Sequence, residues 1–254
     1  MVLRGQEAQW QPETNLLTLR DRPTGSHKKL QVVAKESHYN SRTQVVELAG
    51  QIVVTLKSPS LQLKSEHVFW ELKTDKIISD RPTQLVQFEP KNNTVSEQVT
   101  AQRVEVDLEQ DTAHFQQQVN LISVKPAVEI AGSSLTWQYN NRLIVADKPV
   151  QLFHPQEQLT VTGNRGQLDL KREVATLEGG VKGLNQRNQS QLYADRLTWQ
   201  IPTQILEAEG HVTYAQSDPP ANLKGTKATG TLRDNRVVVY GGADRVETQI
   251  FPDS

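Results

Sequence analysis

The sequence contains no cysteine, and this absence excludes disulfides, thiolate catalysis and cysteine-ligated zinc sites together. Long apolar runs are also missing, since no stretch approaches the roughly 18 apolar residues of a membrane-spanning helix. The first residues, from Val2 to Glu7, lack the apolar centre of a signal peptide. We therefore expect a chain that is soluble as given, with a targeting or anchoring segment removed ahead of residue 1.

The sequence has no excess of either charge, because Lys plus Arg number 28 and Asp plus Glu number 29. This balance provides no basic surface for phosphates, so nucleic acid is not an expected partner. Hydrophobic residues make up 36% of the chain, which is low for a compact globule and fits long strands whose every second residue faces water. The composition therefore favours an elongated body.

Motifs for catalysis are missing too. The chain has neither a glycine-rich phosphate loop nor a serine in a nucleophile-elbow motif. Its six histidines are scattered and show no metal-ligand spacing, and the repeats described below cluster no carboxylates of the kind a glycosidase needs. We predict no catalytic residue, no metal site and no cofactor, and we do not expect an enzyme.

What the sequence does have is an internal repeat. Seven bulky residues, each ending a short apolar limb, recur along the chain in a nearly constant register. These anchor residues are Tyr39, Trp70, Val106, Trp137, Leu168, Trp199 and Leu232. Their residue numbers differ by 31, 36, 31, 31, 31 and 33 in turn. The register predicts about seven tandem repeats of roughly 31 residues each, within the range of known repeat architectures.

Other columns of the alignment support the same register. The residue five places before the anchor is small in six of the seven repeats, and only Lys227 breaks that column. Apolar residues recur seven and nine places after the anchor, which is the period of a β-strand. Glycines near the thirteenth place predict a bulge or bend; they are Gly50, Gly180 and Gly210. Prolines near the twentieth place predict a turn between repeats; they are Pro59, Pro90, Pro126 and Pro219.

Each repeat is thus predicted to contain an outgoing limb, a tight turn, a bent return limb and a proline turn. No segment shows a helical stripe. The predicted fold class is all-β, an elongated open β-jelly-roll with an apolar interior along its axis. An N-terminal segment, residues 1–27, is expected to precede a single repeat domain, residues 28–254.

With these limbs the chain resembles the OstA-like family of lipopolysaccharide-transport proteins, which includes LptC, LptA and the amino-terminal domain of LptD. The outgoing limb from Ala194 to Trp199 and the returning limb from Ala208 to Val212 carry the resemblance, which covers roughly residues 28–250. The segment from Leu30 to Tyr39 is similar to the start of the first repeat in LptC proteins. The chain has more repeats than is usual for LptC or LptA.

The resemblance implies a periplasmic protein held at the inner membrane by an N-terminal helix that this chain lacks. Such a protein accepts lipopolysaccharide from an inner-membrane ABC transporter, whose permeases it would meet at its N-terminal edge. It passes the lipid A acyl chains along a hydrophobic groove to an LptA-like jelly-roll at its C-terminal edge. The transporter supplies the energy, so no catalysis is implied.

Because side chains alternate between the two faces of a strand, we expect the anchors and the residues two before them on one face. The residues seven and nine after the anchor are expected opposite. The candidate groove residues are Val46, Leu48, Val68, Trp70, Val104, Val106, Phe115, Leu135, Trp137, Ile144, Leu177, Leu197, Trp199 and Leu206. Exposed strand edges invite pairing with a partner. The predicted edge strands contain Val32, Ala34, Val237, Val238, Val239 and Tyr240.

Three alternatives stay open at this point. The chain could be a soluble LptA-like bridge, or a fusion of the LptC and LptA roles. It could also be a structural or adhesive β-repeat scaffold whose interior is a dry core, because the same large side chains would fill a closed interior. Similarly, a tail from Asp244 to Phe251 could pack back over the last strand and cap it.

Overall fold

The computed structural model describes residues 1–28, 30–217, 220–234, 236–242 and 245–250. Over this part of the chain the fold is all-β, with 24 strands and no helix, as the period of two predicts. The chain divides into two compact units. Unit 1 comprises Met1–Leu121 with Thr136–Asn141, and unit 2 comprises Ile122–Leu135 with Arg142–Ser254.

The strand bounds are as follows. The first thirteen strands are β1 (Val2–Arg4), β2 (Glu7–Gln11), β3 (Leu16–Arg20), β4 (Thr24–His27), β5 (Leu30–Val33), β6 (Glu36–Asn40), β7 (Val45–Leu56), β8 (Leu61–Glu71), β9 (Lys76–Ser79), β10 (Thr83–Phe88), β11 (Val95–Ala101), β12 (Arg103–Asp107) and β13 (Thr112–Ser123). The others are β14 (Val128–Gln138), β15 (Leu143–Ala146), β16 (Val150–His154), β17 (Leu159–Gly163), β18 (Arg165–Asp169), β19 (Val174–Asn185), β20 (Ser190–Gln200), β21 (Ile205–Ser217), β22 (Pro220–Thr231), β23 (Arg236–Tyr240) and β24 (Glu247–Ile250).

In unit 1 the antiparallel strands form two half-sheets. The anchor half-sheet, which carries the anchor residues, runs β2–β3–β6–β7–β8–β9–β12–β13. The opposing half-sheet runs β1–β4–β5–β7–β8–β10–β11. The long strands β7 and β8 belong to both. The half-sheets pack face to face, since the His27 ring on β4 lies 6.1 Å from the Trp70 ring on β8.

Unit 2 repeats this arrangement. Its anchor half-sheet runs β15–β18–β19–β20–β21–β22–β23. Its opposing half-sheet runs β14–β16–β17–β19–β20–β21–β22–β24. The His154 ring on β16 lies 5.1 Å from the Trp199 ring on β20, so the two faces again enclose one interior.

The long strands cross from one half-sheet to the other at β-bulges, as the glycine column predicts. The pairing register shifts between Ala49 and Ile52, between Glu178 and Val181, and between Glu209 and Val212. Gly50, Gly179 and Gly210 have φ of 74°, 79° and 75° there, a conformation that a Cβ disfavours. In β13 the bend falls at Gln117 and Gln118, with φ of 65° and 52° and no glycine.

Other limbs are interrupted rather than bulged at the same place. Three of the interruptions carry an Asp-Arg/Lys-Pro tripeptide: Asp21–Pro23, Asp80–Pro82 and Asp147–Pro149. Proline, which has no N–H to donate to a ladder, lies directly before the second strand in each case. The repetition of this tripeptide is a signal in the sequence that could have predicted these interruptions.

A ladder of backbone hydrogen bonds joins the tight turns of successive repeats. The last residue of each turn is left-handed, as at Gln44, Asp75 and Gln204, with φ of 59°, 49° and 58°. Its carbonyl accepts a hydrogen bond from the N–H two places after the next anchor: Leu72 to Gln44, Leu108 to Asp75, Ile201 to Glu173 and Leu232 to Gln204. This contact fixes one register for every turn.

The ladder corrects the last anchor. Leu232 is the turn residue two places after the anchor position, so Gly230 and not Leu232 ends the last limb. The interval that follows Trp199 then equals the interval between Trp137 and Leu168. The small-residue column likewise falls on Gly225 instead of Lys227. Lys227 is therefore no exception to the small-residue column. It stood in that column only because the last repeat was aligned on the bulky Leu232 and not on the equivalent backbone position, Gly230.

The repeats also begin earlier than predicted. Residues 1–27 form β1 to β4, and β3 and β4 pair with β6 and β5, so this segment continues both half-sheets. Trp10 occupies its anchor position, opposite Leu17, and Gly5 its small position. The described residues thus contain eight pairs of limbs, against about seven predicted. Pro59, Pro90 and Pro126 lie in turns as expected, whereas Pro219 lies outside the described residues.

Two glycines of β19 provide a test of the bulge. Gly179→Ala should destabilise the protein by about 1 kcal/mol, because it places a Cβ at a left-handed residue. Gly183→Ala in the same strand should be neutral or slightly stabilising, because its added Cβ meets no atom closer than 3.6 Å. The measurement is the urea midpoint of each variant, and equal midpoints would contradict a strained bulge.

Candidate functional site

The residues seven places after the anchors lie beside the anchors and not opposite them as predicted, because the two are cross-strand neighbours within one half-sheet. Together they form one interior row. In unit 1 this anchor row contains Trp10, Leu17, Tyr39, Val46, Trp70, Ile77, Val106 and Ala113. In unit 2 it contains Ile144, Leu168, Ala175, Trp199, Leu206, Gly230 and Val237. Each strand of the half-sheet thus contributes one residue to a continuous apolar stripe.

A second row runs parallel to the first, two residues nearer the bend. It pairs Leu48 with Val68, and Val104 with Phe115, in unit 1, and Leu177 with Leu197 in unit 2. Thirteen of the fourteen candidate groove residues are at most 2% exposed. Only Leu206 is half-buried. Both rows therefore face the interior, while their role in lipid contact stays a prediction.

Each unit contains an interior cavity. In unit 1, about 1060 Å³ of atom-free space, open solvent included, lies beside Leu30, Leu56 and Trp70. Ser58 of a proline turn and Asp75 of a tight turn line the same space, so it opens between the two rows of turns. In unit 2, about 620 Å³ lies among Leu159, Val161, Leu197, Leu206, Tyr214, Ala228 and Val237. The half-buried Leu206 is among the residues that line this cavity.

The interior also contains polar groups that the sequence analysis did not identify. Ser65, Ser79 and Thr83 form a buried hydroxyl cluster near the bend of unit 1, with oxygens 2.6 to 3.1 Å apart. The side chains of Trp70, Trp137 and Trp199 are fully buried, and no Nε1 among them has a hydrogen-bond partner within the described part of the chain. Leaving a buried N–H unpaired costs about 1–3 kcal/mol.

The strand edges differ from the prediction at the N-terminal end. Val32 lies on β5, which pairs with β4 on one side and β7 on the other, and Ala34 directly follows it. Neither residue is at an edge, because residues 1–27 add two strands beyond them. Among the described residues the outer strands of unit 1 are instead β1 and β2, which pair only with β4 and β3.

At the other end, β23 carries Val237 to Tyr240, as predicted for an edge strand. Within the described residues it pairs only with β22. Its three valines are half-buried and Tyr240 is 50% exposed. Within the predicted capping tail, from Asp244 to Phe251, the described residues Glu247–Ile250 form β24, which pairs with β22 in the opposing half-sheet and not with β23. Asp244 and Phe251 themselves lie outside the described part of the chain.

The anchor row is exposed towards both of these edges. In unit 1 Trp10 on β2 is 50% exposed, Leu17 and Tyr39 are half-buried, and Val46 is fully buried. In unit 2 Trp199 is fully buried, while Leu206, Gly230 and Val237 are half-buried. The apolar stripe therefore runs to the outer strand of each unit without being covered there.

Comparison with protein families agrees with this architecture. The model of one family, described as "Lipopolysaccharide-assembly, LptC-related", matches residues 13–121 and again residues 84–186. The chain belongs to the LptC-related family. This confirms the resemblance found in the sequence. No curated protein matches the sequence.

Among solved structures, the chain is similar to LptH, the LptA-homologous periplasmic component of the lipopolysaccharide transport device of Pseudomonas aeruginosa. The two are 12% identical, and the alignment covers 61% of this chain and 95% of LptH with a TM-score of 0.28.

Membership of the LptC-related family assigns the chain to lipopolysaccharide transport in the periplasm. Proteins of this family are not enzymes, and they bind lipopolysaccharide and other components of the transport system. Among the described residues there is no helix long and apolar enough to cross a membrane. The same residues contain no group of three or more His, Asp or Glu side chains whose arrangement could hold a metal ion.

Charged groups of this LptC-related chain lie mainly on its outer face. His67 there hydrogen-bonds Glu47 through Nε2, at 3.0 Å, and Asp80 through Nδ1, at 2.8 Å. The hydrogen bond to Glu47 raises the pKa of His67, and Asp80 adds to the effect. The hydrogen bond with His67 in turn lowers the pKa of Asp80. In the interior, by contrast, burial lowers the pKa of His154, which favours a neutral ring.

The triad formed by His67, Glu47 and Asp80 predicts how the stability of the protein depends on pH. Because folding raises the pKa of His67 above 6.5, its contribution is complete below that value and is lost as pH rises through the folded pKa. The contribution of Asp80 is lost in acid, as pH falls through its lowered pKa. We expect His67→Gln to reduce the fall in urea midpoint between about pH 6 and about pH 9.

His114→Gln is the matched control, since His114 also lies on the outer face but hydrogen-bonds the Thr136 hydroxyl. It should leave the pH dependence as it is in the wild type. A His67→Gln profile that parallels the wild-type profile would show that the triad adds nothing to stability.

Proposed function

We propose that the chain is an LptC-like bridge that accepts lipopolysaccharide from an inner-membrane ABC transporter and passes it to the next jelly-roll protein. The observation that carries the proposal is the anchor row, an apolar stripe that runs across every strand of each anchor half-sheet. A stripe of this kind suits acyl chains, because burying each methylene gains about 0.8 kcal/mol wherever it lies along the path. The acyl chain can thus move without losing contact energy.

The cavities support this role. The unit 2 cavity is lined largely by apolar side chains of the interior. The unit 1 cavity has an apolar wall that includes Leu30, Leu56 and Trp70, and it reaches the surface between the two rows of turns. A lipid held there would insert its acyl chains between the half-sheets and leave its polar headgroup in water. Such a division fits an amphipathic cargo, because charged residues such as Lys73, Asp75 and Glu109 line the outer part of the unit 1 cavity.

The outer strands support docking of a partner protein at two edges. An unpaired edge offers backbone N–H and C=O groups to another strand, and the uncovered end of the anchor row offers apolar area beside it. We assign the edge with β2 and Trp10 to the transporter permeases, and the edge with β23 to an LptA-like jelly-roll. An N-terminal membrane helix ahead of residue 1 completes the proposed role at the inner membrane.

A structural scaffold with a dry core is the second candidate, and the tight interior favours it. The candidate groove residues other than Leu206 are at most 2% exposed, as in an ordinary core. The two candidates make opposite predictions about lipid binding.

Leu206 and Ile205, neighbours on β21, provide a direct test of lipid binding. Both are half-buried, but Leu206 faces the cavity between Trp199 and Gly230, whereas Ile205 pairs with Gln200 and Thr231 on the other face. We expect Leu206→Asp to weaken lipopolysaccharide binding about tenfold or more, because the carboxylate would have to be buried against acyl chains. Affinities are to be measured with purified lipopolysaccharide on variants whose melting temperatures are checked.

Ile205→Asp should leave the affinity close to that of the wild type. If wild-type protein binds no lipopolysaccharide, the scaffold with a dry core is the better account. Equal losses in the two variants would show that the cavity face has no special role.

The three valines of β23 test docking in the same way. Val237 and Val239 pair with Gly230 and Ala228 on the interior face, while Val238 pairs with Thr229 on the outer face. We expect the double variant Val237→Asp/Val239→Asp to abolish copurification with an LptA-like jelly-roll partner. The two carboxylates would interrupt the apolar row where the two proteins meet. Val238→Asp should still copurify with the partner. If the double variant copurifies as well, the interface lies elsewhere.

A further inference from the structure

Three interior tryptophans carry a polar group that the structure leaves unused. The Nε1–H groups of Trp70, Trp137 and Trp199 have no acceptor among the described residues, although all three side chains are 0% exposed. Phe115, in the interior of unit 1, is buried to the same degree and carries no donor. Tyr139 is buried as well, but its hydroxyl donates to the Asp107 carbonyl at 3.4 Å. Phenylalanine could thus fill such positions without leaving a donor unpaired.

Two of these tryptophans have the same surroundings in separate units. The ring of His27 lies 6.1 Å from Trp70, and that of His154 lies 5.1 Å from Trp199. The two histidines occupy the same place in their repeats, counted from the anchors Trp10 and Trp137, and each contacts the tryptophan two repeats later. The combination of a buried indole and an imidazole therefore occurs at equivalent positions of the two units.

The space beside Trp70 constrains the chemistry of an occupant. Leu30 and Leu56 form its apolar wall, so hydrocarbon is favoured there. The unpaired indole N–H requires an acceptor, and it gains most from one that reaches it in surroundings from which water is excluded. A hydrocarbon chain that carries an isolated oxygen atom meets both requirements.

We infer that the indole N–H groups of Trp70, Trp137 and Trp199 donate hydrogen bonds to ester or hydroxyl oxygens of acyl chains in the interior. The interior then selects oxygen-bearing acyl chains over plain hydrocarbon, since only the former pair the buried donors. This inference rests on the proposed lipid-binding function and adds a specificity to it.

The test compares two probes that differ by one oxygen, 3-hydroxytetradecanoate and tetradecanoate, each competing with a fluorescent fatty acid for the purified chain. The wild type should bind the hydroxylated probe about tenfold more tightly, the effect of one hydrogen bond to a buried donor. Trp70→Phe and Trp199→Phe should each reduce this preference. Trp10→Phe, at an exposed tryptophan, should keep it, and Phe115→Leu should weaken both probes equally.

A second measurement needs no variant that must fold. The chain has four tryptophans, hence four indole N–H signals in a ¹⁵N–¹H spectrum. The hydroxylated probe should shift the signals of Trp70, Trp137 and Trp199 downfield relative to tetradecanoate, and leave that of Trp10 in place.

Equal affinity for the two probes, or a preference that survives in the phenylalanine variants with unshifted indole signals, would overturn the inference and leave lipid binding standing. If the wild type binds neither of the two probes and does not bind lipopolysaccharide, the proposed function is rejected, and the inference with it.

Discussion

The hydrogen bond that joins each tight turn to the next is the contact on which the remaining geometry depends. The carbonyl of a left-handed residue such as Gln44, Asp75 or Gln204 accepts the N–H of the following turn, and this fixes where every limb begins. Side chains alternate between the faces of a strand, so a slip of one residue would turn a limb's entire interior set to solvent. The anchor row exists because no such slip occurs between neighbouring turns within either unit.

The constant register of the repeats explains why so much of the fold could be predicted from the sequence. The regular spacing of the anchors, the period of two and the glycines at the bends are local signals of strands and bulges, and the structure confirms them at Trp70, Gly50 and Gly210. The identity of the last anchor could not be read this way. Leu232 is bulkier than Gly230, and only the turn ladder shows that the backbone position, not the side-chain volume, defines the repeat.

The candidate site could be predicted in part. Parity was sufficient to place Leu48, Val68 and Leu197 in the interior, because alternation fixes which face a residue occupies. Edges are a property of the whole sheet, and the prediction for Val32 was wrong because residues 1–27 pair beyond it. The contact between His154 and Trp199 joins two half-sheets, and nothing local in the sequence indicates which residues meet across the interior.

The same side chains can form a hydrophobic core and a path for lipid. The polar groups among them distinguish these two roles. A core selected for stability alone gains nothing from three unpaired indole donors, each of which costs about 1–3 kcal/mol. An interior that also receives lipid offsets this cost whenever an acyl-chain oxygen pairs with the donor. The half-buried Leu206 and the exposed Trp10 fit that view, since the anchor row is least covered where lipid would leave or enter each unit.

The most direct measurement is photo-crosslinking of lipopolysaccharide in cells that export it, with a photoreactive phenylalanine placed at neighbouring positions of one strand. Phe115 is fully buried and the next residue, Gln116, is exposed on the other face of β13. Leu206 and Glu207 form a second pair on opposite faces of β21, and both are half-buried. The account predicts crosslinks from Phe115 and Leu206 and none from Gln116 and Glu207. A folded, expressed protein that gives no crosslink from either interior position, or equal crosslinks from both faces, would contradict it.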